Sequence, residues 1–396
     1  MEVIKELIIN FHKKGIPEYI PREIEIPDEK GLVKVITGPR RAGKTYFLYQ
    51  IMDSLKEPIT RYVYLDFEDY RLMDLRNLEE IVSAYYSLYP DQEPIFFFDE
   101  IQNAPNWERF IRRLLNDGYE VYITGSNSNL LSGEFSTVLA GRYWEITILP
   151  LSFREYLRFK GVTNFPYVPE KYHLVDDYLY YGGFPGVVNS NRKEELLRLY
   201  FQSTILQDVV KRYDIREEAL LELLIKKLAE NIGKEYSFLS ISKKLKSLNI
   251  SISPKSLINY YKYLENAWLF LTSYREKQSF LKKEMYRKSY FIDNGYLSLF
   301  QDGWGKLLEN AVAVELFRKY KRLHYWRAEN AEVDFITPSH AIQVSYNLGD
   351  NLERELKSLR HYLDLNPDKK GIIITYNQEQ SFGEIEAIPF WKLSQQ

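Results

Sequence analysis

The sequence predicts an α/β fold whose first domain is a parallel sheet covered by helices, and three observations support this prediction. The β-prone run at residues 32–36 is followed by a glycine-rich loop and then by a segment with apolar residues at helical spacing. The apolar run at 95–98 lacks the alternation of a half-exposed strand, which is typical of a strand buried on both faces of a parallel sheet. Further β-prone runs at 61–67, 120–124 and 143–149 complete the predicted sheet.

The glycine-rich loop at 38–45 reads GPRRAGKT and fits the pattern G-x-x-x-x-G-K-[ST] between a strand and a helix. Gly38 and Gly43 let the backbone curl so that successive N–H groups point at one anion, and the following helix N-terminus also favours phosphate. Lys44 can reach the β- and γ-phosphates of a nucleotide, and the Thr45 hydroxyl can ligate Mg²⁺. An ordinary glycine turn before a helix is the alternative. The predicted nucleotide-binding residues are Gly38, Pro39, Arg40, Arg41, Ala42, Gly43, Lys44, Thr45 and Tyr46.

An acidic pair, Asp99-Glu100, ends the apolar run at 95–98. This is the Walker B arrangement, in which we expect Asp99 to hold Mg²⁺ through water and Glu100 to polarise the attacking water. Both charges are tolerable at the end of a buried strand because they face the metal instead of the core. With Thr45 and Asp99 as metal-site residues, the pair predicts hydrolysis of the nucleotide in addition to binding.

Two further polar positions are candidates for the same site. Ser126 and Asn127 follow the run at 120–124, where a side chain can hydrogen-bond the attacking water or the γ-phosphate; plain turn chemistry is the alternative. Arg142 precedes the run at 143–149 and is a candidate arginine finger that stabilises charge on the transferred phosphoryl group. The alternative is a surface arginine paired with Glu145 or Glu134.

Composition restricts the class of protein. The chain has 396 residues, of which 45% are hydrophobic and 27% charged, as in a soluble globular protein with two or three domains. It contains no cysteine, which excludes disulfides and thiol catalysis and fits a reducing cytoplasm. We expect neither a signal peptide nor a membrane span, because the first ten residues are amphipathic and no apolar run approaches the ~20 residues of a span. The net charge of −2 predicts no global attraction to nucleic acid.

Several sequence blocks together resemble archaeal and bacterial AAA+-type ATPases of the STAND-related group. These blocks are GPRRAGKT, FFFDEIQN, ITGSNSNLL, LAGRYWEITILPLSFREYL and YYGGFPGVV. The resemblance implies ATP as the nucleotide and Lys44, Thr45, Asp99 and Glu100 as the hydrolytic residues. It also implies that Ser126 holds the sensor position, and it favours a functional role for Arg142.

The same resemblance predicts a RecA-like core followed by a helical lid, a winged helix and a nuclease-like domain. We expect the core with its N-terminal lead-in at 1–150, the lid at 151–235, the winged helix at 236–292 and the last domain at 293–396. The proline-rich lead-in is expected to pack near the nucleotide. In the winged helix, Ser253 and Pro254 begin a helix that turns Lys255, Asn259 and Lys262 outward, and Lys277, Lys282 and Lys283 lie in the wing. This is a candidate surface for duplex DNA, with domain bridging or protein binding as the alternative.

The segment 293–396 resembles the restriction-endonuclease-like PD-(D/E)xK nucleases in its order of a glutamate-bearing helix and acidic strands. The helix carries Glu309 and Glu315, and Asp334 fits the family's aspartate. In the E-x-K position, however, stand Gln343 and Ser345, and a neutral amide is a weaker ligand for Mg²⁺ than a carboxylate. We therefore expect the nuclease fold without cleavage, used for binding or assembly.

Three functions follow from these predictions. The first is an ATP-hydrolysing switch that couples nucleotide state to the winged helix and the nuclease-like domain. The second is a DNA nuclease licensed by ATP, and the third is a nucleotide-bound scaffold for protein interactions without useful turnover. If Arg142 acts in trans, the switch requires a homo-oligomer; if it acts in cis, a monomer suffices.

Overall fold

The computed structural model describes residues 1–128, 134–247, 249–276, 286–349 and 352–395. The chain divides into two compact units, Met1–Leu149 and Pro150–Gln396. The predicted wing lysines Lys277, Lys282 and Lys283 lie outside the described residues, as does the side chain of Glu134.

The first unit contains a five-stranded sheet whose strands are all parallel, in the order β2-β3-β4-β1-β5. Its strands are β1 (Val33–Thr37), β2 (Tyr62–Asp66), β3 (Ile95–Asp99), β4 (Glu120–Gly125) and β5 (Tyr143–Thr147). Every residue of β3 is buried, as the unbroken apolar run predicts.

Successive side chains of these strands enter two separate cores, because side chains alternate across a strand. In β3, Phe96 and Phe98 belong to one hydrophobic cluster and Ile95 and Phe97 to the other. The α-helices of this unit are α1 (Glu2–Lys14), α2 (Lys44–Leu55), α3 (Glu79–Leu88), α4 (Trp107–Asn116) and α5 (Glu134–Leu139). Short 3-10 helices are Ile59–Arg61, Tyr70–Leu72 and Ile101–Asn103.

The second unit begins with helices and ends with two sheets. Its α-helices are α6 (Phe153–Phe159), α7 (Lys171–Tyr181), α8 (Pro185–Val188), α9 (Lys193–Ser203), α10 (Glu218–Glu230), α11 (Phe238–Lys246), α12 (Pro254–Asn266), α13 (Asn294–Ser298), α14 (Trp304–Tyr320) and α15 (Leu352–Leu365). A π-helix, Thr204–Val210, follows α9, and a 3-10 helix, Phe390–Gln395, follows the last strand. Ser253 caps α12 by accepting a hydrogen bond from the Ser256 N–H, as its sequence predicts.

The strands of the second unit form two sheets. They are β6 (Phe270–Arg275), β7 (Arg287–Phe291), β8 (Leu323–Arg327), β9 (Glu332–Val333), β10 (Phe335–Ile336), β11 (His340–Val344), β12 (Lys370–Thr375), β13 (Gln380–Phe382) and β14 (Ile385–Pro389). One sheet has the order β7-β6-β8-β9 and the other β10-β11-β12-β14-β13. Because β6 pairs with β8, the predicted segments 236–292 and 293–396 contribute to one sheet.

The structure confirms the predicted fold class: an α/β chain with a parallel-sheet core, followed by a second α/β region. The division of the second unit into a lid, a winged helix and a nuclease-like domain stays a prediction. Within the described ranges, no helix has both the length and the apolar character needed to cross a membrane.

Candidate functional site

The glycine loop connects β1 to α2 at the carboxyl edge of the parallel sheet. Gly38 has φ +145°, and a Cβ on it would lie 2.0 Å from the carbonyl oxygen of Ile148, so this position needs glycine. Gly43 adopts the left-handed conformation, with φ 99°, directly before α2. The sequence therefore forms the strand, loop and helix N-terminus that the pattern predicts.

Four predicted residues meet at this edge. The Thr45 hydroxyl donates a hydrogen bond to Asp99 Oδ2 at 2.6 Å. Lys44 Nζ lies 3.3 Å from Glu100 Oε1 and donates to the Pro39 carbonyl at 3.2 Å. The Lys44 ammonium is thus already held over its own loop, close to the carboxylate that we expect to polarise water.

Thr124, which the sequence analysis did not single out, fixes the acidic pair. Its hydroxyl accepts a hydrogen bond from the Glu100 N–H at 2.9 Å and donates one to Asp99 Oδ1. Tyr64 donates to the other oxygen, Asp99 Oδ2, at 3.2 Å. A threonine at the end of the apolar strand β4 was the available signal for Thr124, because a buried hydroxyl needs a partner.

The acidic pair has two different electrostatic environments. Burial raises the pKa of Asp99, and the neighbouring Glu100 charge adds to the effect. Burial also acts to raise the pKa of Glu100, but the Lys44 charge and a hydrogen bond from Gln102 reverse this and lower the pKa to about 2. Glu100 has φ 48°, an uncommon left-handed conformation for a residue other than glycine. Strain of this kind persists where the surroundings over-determine the backbone, as they often do at functional sites.

The remaining predicted residues near the loop differ in position. Ser126 is 1% exposed; its N–H donates to Glu100 Oε2 at 3.2 Å, and its hydroxyl has no hydrogen-bond partner among the described residues. Asn127 is partly buried. Tyr46 is 54% exposed, and its ring packs edge-on against Tyr49 at 5.7 Å between centroids. Ser126 therefore contacts the acidic pair directly.

Two arginines contact the loop region from within the first unit. Arg40, a loop residue, pairs with Glu68 after β2 at 2.7 Å. Arg22 in the lead-in is buried and donates to the carbonyl oxygens of Ala42 at 2.9 Å and Leu149 at 2.8 Å. The lead-in therefore does pack against the loop, and Arg22 is the residue through which it does so.

Arg142 lies at the other end of the strands, where β1 and β5 begin. The register pairs Val33 with Tyr143 and Thr37 with Thr147, so Arg142 is next to the start of β1 and a strand length of about 13 Å from the loop. Its guanidinium donates to Asn116 Oδ1 at 3.0 Å, whereas Glu145 accepts a hydrogen bond from Thr37. Of the two partners in the alternative interpretation, Glu145 therefore contacts Thr37 and the side chain of Glu134 lies outside the described residues. The structure does not bring Arg142 to the glycine loop of its own chain.

The residues at the carboxyl edge fit Mg²⁺ and a nucleotide. Thr45 and Asp99 present a hydroxyl and a carboxylate within 2.6 Å of each other, and hard oxygen ligands of this kind suit Mg²⁺. These two residues would hold the metal, which would supply positive charge to neutralise the phosphates. Lys44 would hold the phosphates, and Glu100 would orient water.

The predicted nuclease residues lie in the second unit, and only some of them are together. Asp334 lies between β9 and β10; its N–H donates to Gln343 Oε1 at 3.3 Å. Ser345 donates to the Asn347 carbonyl at 2.9 Å. Glu315 is directed elsewhere: it accepts hydrogen bonds from the Phe153 N–H and the Tyr178 hydroxyl. Glu315 is therefore not part of the Asp334 group.

Comparison with known proteins assigns the family. Residues 30–157 match a family model described as an AAA domain, and residues 172–303 and 304–393 match two domains of unknown function, DUF8612 and DUF4143. The uncharacterized protein MJ1544 of Methanocaldococcus jannaschii is 36% identical over 412 residues, with 95% of this chain and 91% of that protein covered. This chain belongs to the same family. An uncharacterized protein of Haemophilus influenzae is 33% identical over 392 residues, covering 93% of this chain and 96% of that protein.

The range that matches the AAA-domain model contains the parallel sheet, the glycine loop and the acidic pair of the first unit. Among solved structures, the Aeropyrum pernix ORC1 protein in complex with DNA is 12% identical, with 80% of this chain and 92% of that chain covered at a TM-score of 0.32.

Proposed function

We propose that this AAA-domain protein is an ATP-binding switch of the STAND-related AAA+ type, which hydrolyses ATP with Mg²⁺ and transmits its nucleotide state to the second unit. The observation that carries this proposal is the meeting of Lys44, Thr45, Asp99 and Glu100 at one edge of the sheet. Each of these groups has a distinct task in phosphoryl transfer: charge for the phosphates, two groups for the metal and a carboxylate for water.

The contacts of Glu100 favour turnover over simple binding. Its carboxylate stays ionised at neutral pH because the Lys44 charge and the Gln102 hydrogen bond outweigh the effect of burial on its pKa, which is lowered to about 2. Lys44, Gln102 and the Ser126 N–H hold it in one position. An ionised carboxylate held in one position can accept a hydrogen bond from water and orient it for attack. A scaffold without turnover would need none of these contacts.

Steady-state hydrolysis of ATP by the intact chain and by Glu100→Gln tests the proposal. We expect the variant to bind ATP with Mg²⁺ but to lose most of the hydrolysis rate, because an amide cannot accept a proton or polarise water as a carboxylate does. Glu120→Gln is the matched control, since Glu120 begins β4 at the opposite edge of the same sheet. Equal rates for the wild type and Glu100→Gln, or no hydrolysis by either, would reject the switch.

Arg142 supports a homo-oligomer as the active form. The position of Arg142 at the far edge of the sheet leaves its own phosphate loop out of reach. An arginine finger can be supplied in trans, and its contribution is then large. We therefore propose that Arg142 acts on the nucleotide of a second copy of this chain.

A second candidate function is binding of duplex DNA through α11 and α12. The helices α10, α11 and α12 precede the β6–β7 hairpin, and Tyr236 bridges to Arg287 of β7, which is the element order of a winged helix. Lys255, Asn259 and Lys262 on α12 are exposed, and Lys243, Lys244 and Lys246 on α11 are exposed as well. A helix that presents cations and an amide in this way can contact phosphates first and base edges second.

Binding of two unrelated duplexes by the double variant Lys255→Ala/Lys262→Ala tests this function. We expect weaker binding of both duplexes and a salt dependence that is shallower by about one unit per lysine removed. Lys13→Ala/Lys14→Ala removes the same charge from α1 in the first unit and is the control. Unchanged affinity in the α12 variant would reject the DNA surface and favour a bridging or protein-binding role.

A further inference from the structure

A buried lysine lies where the resemblance to nucleases would place a metal. Lys288 on β7 is 0% exposed, and its ammonium lies 2.6 Å from Glu332 Oε1 and 3.3 Å from Asp334 Oδ1. Asp334 Oδ2 accepts a hydrogen bond from the Val344 N–H at 3.1 Å. Both oxygens of the Asp334 carboxylate are therefore engaged by groups of the protein.

The other residues of this group are engaged as well. Glu309 accepts hydrogen bonds from Tyr290 at 3.0 Å and from Lys306 at 2.9 Å. Glu332 pairs also with Arg327, at 3.3 Å. Each of the three carboxylates, Glu309, Glu332 and Asp334, thus has a cation of the chain in contact.

These residues do not fit the metal centre of a nuclease. Gln343 uses its oxygen to accept the Asp334 N–H, and Ser345 donates to a backbone carbonyl. A divalent ion bound to Glu332 and Asp334 would have to displace the Lys288 ammonium, because two cations in contact with the same carboxylates repel each other. No step of metal-dependent cleavage can be built on this arrangement.

We propose that the Lys288 ammonium is a built-in substitute for a divalent cation in the Glu309–Glu332–Asp334 cluster, so that the second unit is a metal-independent module. The lysine comes from β7, whereas Glu332 and Asp334 lie at β9 and at the β9–β10 junction. The Lys288 ammonium, which takes the place of the metal, therefore also links β7 to the β9–β10 segment. This inference does not depend on ATP hydrolysis by the first unit.

The charge state of Lys288 agrees with this role. Burial acts to lower the pKa of its ammonium, but the carboxylates of Asp334, Glu309 and Glu332 outweigh burial and raise it. Lys288 also lies over the Tyr325 ring at 5.1 Å, a favourable position for a cation.

Removal of the ammonium is the decisive test. In Lys288→Ala, Glu332 and Asp334 would lose the cation that they share, and added Mn²⁺ or Mg²⁺ would take its place. We expect the thermal midpoint of Lys288→Ala, measured without nucleotide, to rise by several degrees with millimolar Mn²⁺, and that of the wild type to stay constant. The double variant Lys288→Ala/Asp334→Asn should lose the response.

Lys34→Ala is the matched control. Lys34 is also a buried lysine, but it lies on β1 and its nearest carboxylate, Glu120, is 3.9 Å away. We expect Lys34→Ala to be destabilised without gaining a response to Mn²⁺. An equal response of both alanine variants would overturn the proposal.

A second experiment leaves Lys288 in place. Mn²⁺ binding followed by electron paramagnetic resonance should give the same stoichiometry for the wild type and for Asp334→Asn, and neither should nick duplex DNA with Mn²⁺ or Mg²⁺. A bound Mn²⁺ that Asp334→Asn abolishes, or nicking that depends on Asp334, would overturn the proposal even if Lys288→Ala did not fold.

Discussion

Thr124 shows how one hydroxyl determines the geometry of the acidic pair. It can donate one hydrogen bond, and it gives this bond to Asp99 while accepting the Glu100 N–H. The contact with Glu100 cannot reverse, because a backbone N–H only donates, so the hydroxyl hydrogen is left to point at Asp99. The hydroxyl therefore fixes the orientation of Asp99 relative to the backbone of Glu100.

We predict that Thr124→Val lowers the rate of ATP hydrolysis by about 10- to 100-fold, the range typical of groups that orient a metal-site residue. The substitution keeps the shape of the side chain, and ATP binding through the loop should persist. Hydrolysis and equilibrium binding of ATP measure the two effects separately. Thr272→Val is the control, because Thr272 is a hydrogen-bonded strand threonine in the second unit. A normal rate for Thr124→Val would exclude a positioning role.

Asp293 is a second buried residue, and its burial and hydrogen bonds have opposite effects on its pKa. It accepts hydrogen bonds from the Gly183 N–H at 2.7 Å and from the Gly295 N–H at 2.8 Å, and thereby joins the end of α7 to the start of α13. Burial raises the pKa of Asp293 to about 7, although these hydrogen bonds oppose the shift. The folded chain therefore holds a proton that the unfolded chain releases above pH of about 4.

This shift predicts a pH dependence with a definite sign. Between pH of about 4 and 7, unfolding releases the Asp293 proton, so the free energy of unfolding falls as pH rises, by at most about 1.4 kcal/mol per unit. The stabilisation that comes from the Asp293 proton is complete below a pH of about 4 and is lost as the pH rises to about 7. Asp293→Asn should gain stability relative to the wild type across this window in urea unfolding. Asp302→Asn, at an exposed position, is the control, and parallel curves for Asp293→Asn and the wild type would contradict the assignment.

At the scale of elements, the lead-in between α1 and β1 contacts the glycine loop. Arg22 exchanges hydrogen bonds with Gln50 of α2 through its backbone, and its guanidinium reaches the loop carbonyl of Ala42. The segment has no regular secondary structure over most of its length. Its position is therefore set by these polar contacts and by packing of residues such as Ile24 and Ile26 on the core.

We predict that Arg22→Met weakens ATP binding by about tenfold, which corresponds to about 1.4 kcal/mol. Methionine keeps the apolar stem but removes the donors that hold the Ala42 carbonyl, so the loop loses a fixed conformation before the phosphates bind. The dissociation constant of a fluorescent ATP analogue measures the effect. Arg71→Met removes an exposed arginine that pairs with Asp69 and serves as the control. Equal affinities of the two variants would show that the loop holds its shape without Arg22.

At the scale of the whole molecule, the separation of Arg142 from its own loop predicts complementation between chains. Arg142→Ala and Glu100→Gln should each hydrolyse ATP slowly. A mixture should recover a substantial part of the activity, because the Glu100→Gln chain supplies Arg142 to a site that retains Glu100. Hydrolysis per chain should also rise with protein concentration. A mixture whose rate is only the sum of the rates of the two separate variants would contradict action in trans.

The parts of this protein that the sequence predicted correctly depend on residues close together in the chain. The strand β1, the loop and α2 follow from a local pattern, since glycine positions and apolar spacing act within one turn or one strand. The burial of β3 and the capping of α12 by Ser253 are likewise local. These features permitted the prediction of the α/β fold. The roles of Lys44, Thr45, Asp99 and Glu100 stay a prediction, and their meeting at one edge joins residues 54 apart in the chain.

Tertiary structure alone decided which buried polar groups meet. Thr124 and Asp99 are 25 residues apart, Arg22 and Ala42 are 20 apart, and Lys288 and Asp334 are 46 apart. Each contact depends on strand order and register, which a single sequence does not specify, and each exists because a buried donor or charge must find a partner. The sequence by itself therefore determined the strand, the glycine loop and the start of α2, whereas the fold determined the hydrogen bonds that orient the acidic pair and the contacts between Lys288 and its carboxylates.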